Sequence, residues 1–225
     1  MKYYLFDYAC ATKETGSQYP QIQKMSVKYD YNANNSVSKL SRCINDFPNF
    51  EPNLNSFILH KSAKASDLLS SAPLIGSGFI ISEKLKNIFE KFKLPTHKNY
   101  PAKIIQKENI YNYYWIHIIC DLTDYIDYGK SEFYITHLFK NIQDIIHIDS
   151  KNELISKREE LKKKDIYFSI SPIKIYFIDD YLLNFDLFYI SLFDFNFYAS
   201  QNLKNVIYEE NITGIELTES NKFTE

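Results

Sequence analysis

Asp121, Asp124 and Asp127 stand at intervals of three in a polar stretch. On a helix that spacing puts three carboxylates on one face. There they could hold a cation or, with a distant histidine, run a hydrolysis. On a loop the same residues form turns and caps, and loops of this composition are routine. The spacing is not that of an EF-hand, which alternates every second residue and closes on a late Glu. The loop reading is therefore the better one. His60, His97, His117, His137 and His147 form no H-x-H or H-x-x-x-H pair, so no zinc site is spelled out. Cys10, Cys43 and Cys120 are odd in number and widely spaced, with no C-x-x-C. Reduced, mostly buried thiols in a cytosol are the expectation, and nothing local pairs Cys120 with a histidine as a nucleophile.

Ser82 and Ser200 invite a search for nucleophiles, but no Gly-x-Ser-x-Gly elbow surrounds either one. Each falls between an apolar strand and an amphipathic helix, where a hydroxyl accepts a hydrogen bond from an orphan backbone N–H. Gly76-Ser77-Gly78 precedes a strand and lacks both the lysine of a P-loop and the third glycine of a dinucleotide fingerprint, so it reads as a turn. Tyr111, Tyr113, Tyr114 and Trp115 make a dense aromatic strand. Packing is its first reading, because strands favour aromatics; a protein-binding patch is the second.

These residues are positioned by a motif that occurs twice. Residues 79–91 and 197–209 align at an offset of 118 (200 − 82), with Phe, Ser, Leu, Lys and Asn identical at matching places. Each copy spells a short strand, a capping serine and a helix. In the first helix, expected over 82–93 and stopped before Pro95, Leu85, Ile88, Phe89 and Phe92 fall at one-face spacing. In the second, over 200–210, Leu203, Val206 and Ile207 do so, and Gly214 suits a left-handed exit. A third helix is expected over 151–164, with Leu154, Ile155 and Leu161 inward and Lys162–Lys164 at the negative end of its dipole. A fourth is expected over 63–70, before Pro73.

Strands are expected over 2–8, 22–31, 57–59, 102–106, 111–120, 132–139, 144–149, 166–178 (bent at Pro172), 185–190, 195–198 and 215–217, with a turn at Lys140-Asn141. The links between them are often short. That favours α+β, with a mixed or mostly antiparallel sheet, over a doubly wound parallel one. The expected organisation is a strand-rich part, 1–74, packed on an α+β part, 75–225, that carries the duplicated strand–Ser cap–helix–strand unit.

The 225 residues are 45% hydrophobic and 24% charged, ordinary for a chain that buries a real core. Net charge is −2 and only Arg42 and Arg158 are arginines, so there is no basic field for nucleic acid. No apolar run reaches the ~18 residues of a membrane span, and the first residues do not read as a signal peptide. A cytoplasmic protein is expected, with no cofactor and no metal.

The stretch Ile81-Ser82-Glu83-Lys84-Leu85-Lys86, then Tyr113-Tyr114, Asp127 and Ser131, then Ser200-x-x-Leu203-Lys204 and Ile212-Thr213-Gly214-Ile215, resembles a bacterial immunity-protein family encoded beside polymorphic toxins. The likeness spans about residues 75–219 and leaves the N-terminal third unassigned. The chain departs from the family pattern at Ile80, Tyr198 and Ala199. The resemblance implies an intracellular protein, not an enzyme, that binds and neutralises a cognate toxin; it brings no catalytic residues with it. Tyr111, Tyr113, Trp115, Asp124 and Asp127 are the candidate partner-binding residues. The alternatives are a hydrolase using Asp121, Asp124 or Asp127 with a distant histidine, and a self-assembling structural module.

Overall fold

The computed structural model describes residues 2–10, 12–43, 45–74, 76–138, 141–178, 185–193 and 196–223, with the backbone alone at 141–143. Thirteen strands are found among them: β1 Tyr3–Tyr8, β2 Ile22–Met25, β3 Phe57–Leu59, β4 Leu68–Leu69, β5 Gly78–Ile81, β6 His97–Gln106, β7 Asn109–Ile118, β8 Glu132–His137, β9 Asn141–Ile146, β10 Phe168–Lys174, β11 Leu187–Tyr189, β12 Phe197–Ser200 and β13 Ile215–Ser220. The helices are α1 Glu83–Phe89, α2 Lys151–Lys164 and α3 Gln201–Glu209. The strands form a six-stranded sheet, β2-β3-β6-β7-β5-β4, a four-stranded sheet, β11-β12-β1-β13, and a three-stranded sheet, β10-β8-β9. Apart from the β3–β6 pair, which is parallel, neighbouring strands in these sheets run antiparallel. The fold is α+β.

The duplication is larger than the motif that first shows it. In copy one the hairpin β4–β5 leads through α1 to β6, and β7 lies between β5 and β6. In copy two the hairpin β11–β12 leads through α3 to β13, and β1 lies between β12 and β13. Both inserted strands run antiparallel to their two neighbours. Each unit is therefore a strand–helix–strand crossover with one foreign strand filling its gap.

The serines are caps. Ser82 Oγ accepts from Leu85 N at 3.2 Å and Ser200 Oγ from Leu203 N at 3.1 Å. Each hydroxyl also donates to an aspartate just before its hairpin: Ser82 to Asp67 at 2.7 Å, Ser200 to Asp186 at 2.6 Å. The aspartates then cross between copies. Asp67 Oδ2 accepts from Thr213 N (2.9 Å) and Thr213 Oγ1 (2.8 Å), in the exit from α3. Asp186 Oδ2 accepts from Lys93 N (3.0 Å), in the exit from α1. The helix exit of each copy is thus pinned to the hairpin of the other. Ser200→Ala is expected to cost about 1–2 kcal/mol, since it removes the cap and strands one Asp186 oxygen. Urea denaturation measures this, and a loss below about 0.3 kcal/mol would contradict the capping role.

One core lies between the sheets and takes in Leu85, Ile88 and Phe89 of α1 with Leu203 and Ile207 of α3. A second lies on the other face of the six-stranded sheet, under residues 22–63. Alternation sorts the strands between them: Tyr113 and Trp115 face the second core, Ile116 and Ile118 the first.

Several expectations shift. Residues 63–70 hold no helix; Leu68 and Leu69 form β4, because Asp67 and Ser66 are tied to Thr213 and Leu68 and turn the backbone away from helical bonding. The strand expected over 22–31 ends at Met25, where Ser26 N bonds to Ser56 O and turns the chain. A 3-10 turn at Val37–Arg42, capped by Ser36, was not foreseen. On α2, Leu154 and Leu161 are buried but Ile155 is 37% exposed, since it lies about 100° round from Leu154. The turn expected at Lys140-Asn141 falls partly outside the described residues.

Candidate functional site

Asp121, Asp124 and Asp127 lie on the loop between β7 and β8, not on one face of a helix. Asp121 Oδ1 accepts from Thr123 N (3.0 Å) and Thr123 Oγ1 (2.5 Å) and so starts the 3-10 turn Thr123–Tyr125. Asp127 accepts from Lys130 N (3.2 Å), pairs with Lys130 Nζ (3.0 Å), and donates its own N–H to Tyr176 O (2.9 Å). The buried Tyr128 donates its hydroxyl to Thr123 O at 2.9 Å and fastens the loop to the core. Asp124 points outward and meets Lys151 Nζ at 2.8 Å, while Asp121 lies 3.8 Å from the same ammonium.

Lys151 begins α2, whose N-cap Ser150 accepts from Glu153 N at 3.2 Å. Together the loop and this helix start enclose a recess of about 310 Å³. Among the described residues, three carboxylates, Asp124, Asp127 and Asp149, and one ammonium, Lys151, line it. Ile178 (49% exposed) lines it as well, and Tyr125 (38% exposed), whose carbonyl accepts from Ile178 N at 2.7 Å, stands next to it.

The electrostatics favour fixed negative charge. For Asp121, burial pushes the pKa up, but the two Thr123 hydrogen bonds and Lys151 outweigh it and the net shift is downward. For Asp127 the Lys130 hydrogen bond leads the causes of a downward shift. Neither carboxyl is tuned to donate a proton near neutral pH. Two histidines are engaged apart from these carboxylates: His137 pairs with Asp165 at 3.1 Å and His97 Nδ1 bonds to Pro95 O at 2.8 Å. His147 does lie 2.8 Å from Asp149, and both side chains are largely solvated. Among the described residues no group of three or more His, Cys, Asp or Glu is arranged to hold a metal.

The aromatic candidates lie elsewhere. Trp115 is wholly buried and stacks on Tyr100 at 5.3 Å, and Tyr113 is 6% exposed with its hydroxyl on Ser66 O at 2.8 Å. Tyr111 is half-buried at the rim of the second core. The structure does not bring them to Asp124 and Asp127. A larger cleft, about 410 Å³, opens among Phe6, Tyr8, Phe79, Tyr189 and Phe197, with Asp7 the one charged residue lining it among the described residues. Lys151, Asp149, Tyr125 and Ile178 were missed by sequence reasoning. The start of α2 at Ser150-Lys151 was legible, but not its place against a loop some 25 residues earlier.

The chain falls in a known class, that of immunity proteins. The Imm11 immunity protein family matches residues 5–222, nearly the whole chain, and the protein belongs to it. The match takes in the N-terminal third, which the motif resemblance left unassigned. A search among curated proteins finds no match to the chain. No helix among the described residues is long and apolar enough to cross a membrane.

Proposed function

We propose that this protein neutralises a cognate protein toxin by stoichiometric binding in the cytoplasm, and that the acidic recess around Asp124, Asp127 and Asp149 is part of the toxin-binding surface. Membership of the Imm11 family carries the reading. The recess supports it in detail: three lining carboxylates, of which Asp127 has its pKa lowered by the Lys130 hydrogen bond, two partly exposed apolar side chains, and a loop fastened from below by Tyr128. Such a surface steers a basic partner and then anchors it. An interface of ordinary size, on the order of 1,600 Å², extends well beyond the recess. Neutralisation by occupancy needs no turnover.

The test is co-expression with the toxin encoded beside the gene, followed by titration of the purified pair. Growth rescue and an endpoint at a fixed molar ratio are expected. Absence of both binding and rescue ends the proposal, and catalytic amounts sufficing would make the protein an enzyme. Asp124→Lys with Asp127→Lys is expected to slow association roughly tenfold or more at low salt, with a smaller effect at high salt. An unchanged association rate would remove the recess from the interface while leaving the neutralisation reading intact.

A further inference from the structure

On the face of the six-stranded sheet that meets the second core, three rings stand in a column. Tyr100 of β6 stacks on Trp115 of β7 at 5.3 Å, and Trp115 stacks on His117 at 4.6 Å with 13° between the planes. The edge of Phe47 closes the column over His117 at 5.4 Å. His117 is 0% exposed, and among the described residues neither ring nitrogen reaches a partner at hydrogen-bond geometry; the Tyr100 hydroxyl and Trp115 Nε1 are likewise buried with no partner among those residues. Buried polar atoms are rarely left this way, and grouping several on one sheet face makes a sensitive spot.

The cover is the connection between the 3-10 turn and β3, through Cys43, Phe47 and Phe50. Its hold differs from that of the strand beneath. β7 is hydrogen-bonded on both sides, to β5 and β6. Among the described residues, 45–52 make no backbone hydrogen bond to the sheet. Between 45 and 52 the cover is held to the sheet by packing without backbone hydrogen bonds and is the part free to move first.

We propose that His117 is an acid-triggered latch: protonation of its ring releases residues 45–50 from the sheet face while the sheets stay folded. Burial lowers the His117 pKa to about 4, and the Cys43 backbone, which favours the protonated ring, offsets only part of that. The titratable groups around the column give a new positive charge no compensation. Cys43 and Glu51 of the cover act at Tyr100, and no carboxylate is among the influences on His117. Lys98 stands directly across from His117 on β6, with its ammonium 4.6 Å from the Tyr100 ring centre, and Gly78 of β5 brings no charge from the other side.

The sign follows. Above the free-histidine value of about 6.5 both states are neutral and the cover is closed. As pH falls from there towards about 4, the released state takes up a proton that the closed state refuses, so closure weakens across that window and the loss is complete below it.

Trp115 is the single tryptophan, so its emission reports on the column. Emission and far-UV circular dichroism are followed from pH 7.5 to 3.5 on the full chain, with pepsin digestion at pH 4. The wild type is expected to change emission between about pH 6.5 and 4 with its dichroism unchanged. Pepsin should cut it near Phe47 and Phe50 roughly tenfold faster than His117→Phe, which keeps the stack but cannot titrate. His117→Gln serves where Phe overpacks the site. An emission transition of the same midpoint in both variants overturns the proposal, as does a flat wild-type profile, or dichroism lost in step with emission.

Discussion

Asp67→Ala is expected to cost about 3–4 kcal/mol, a large share of what a chain of this kind has in reserve. One oxygen of Asp67 accepts the Ser82 hydroxyl and the other accepts both the N–H and the hydroxyl of Thr213. Hydrogen bonds to a charged acceptor contribute about 1.5–3 kcal/mol each, and partial exposure lets water recover some of that, so the sum is discounted. The removal also frees the α3 exit from the β4–β5 hairpin, which loosens the contact between copies as well as one cap. Asp67→Asn, which keeps one acceptor oxygen, should fall between. Asp186→Ala should cost less, because Asp186 accepts from Ser200 and Lys93 only once each. Urea unfolding of the three variants checks the order; a loss under about 1 kcal/mol for Asp67→Ala would mean that the inter-copy clasp is incidental.

Gly78→Ala should be worse still, and for a steric reason. Gly78 opens β5 at φ +140°, where a side chain is strained, and a Cβ there would lie 1.8 Å from the Ile116 carbonyl oxygen of β7. Backbone cannot yield as a flexible side chain can, so either β5 leaves β7 or the register against His117 is lost. A loss above about 4 kcal/mol, read as a melting temperature lower by roughly 10 °C or more, is expected. Two residues earlier, Gly76→Ala meets only the Trp115 Cζ2 atom at 3.4 Å and should be nearly neutral. Equal melting temperatures for Gly78→Ala and the wild type would refute the argument.

Much of the scaffold was legible because it is local. Ser82 and Ser200 cap their helices through bonds to residues three further on, and the apolar spacing of Leu85, Ile88 and Phe89 needs only a helix to take effect. The bounds of α2 were readable for the same reason. What escaped is non-local. Asp67 and Asp186 are 119 apart (186 − 67) and Lys93 and Thr213 are 120 apart (213 − 93), so neither pair keeps the 118 offset that reveals the motif. Their partners also lie 146 and 93 residues away. β4 has two residues, too few for any periodicity, and its existence depends on Thr213. At the candidate site the three aspartates were visible, and the preference for a loop over a helix was sound. Their company was not, since Lys151 and Asp149 reach them only through the packing of α2. The burial of Trp115 and Tyr113 was equally hidden, because an aromatic strand with polar neighbours gives no sign of a second core on its far side.

The position of β1 sets a clock on folding. Tyr3 pairs with Ser200, 197 residues later (200 − 3), and with Ser220 on its other side. At synthesis rates of about 5–20 residues per second, that partner emerges roughly 10–40 seconds after the strand itself. Copy one, whose inserted β7 follows β6 after a two-residue turn, can close while copy two is still being made. Copy two is complete only when β12 and β13 join a strand made long before them. Through that interval Tyr3, Tyr4 and Phe6, all buried in the finished protein, are exposed on an unpaired strand. Speed of synthesis and access to chaperones, more than final stability, should govern how much of this protein a cell obtains in working form.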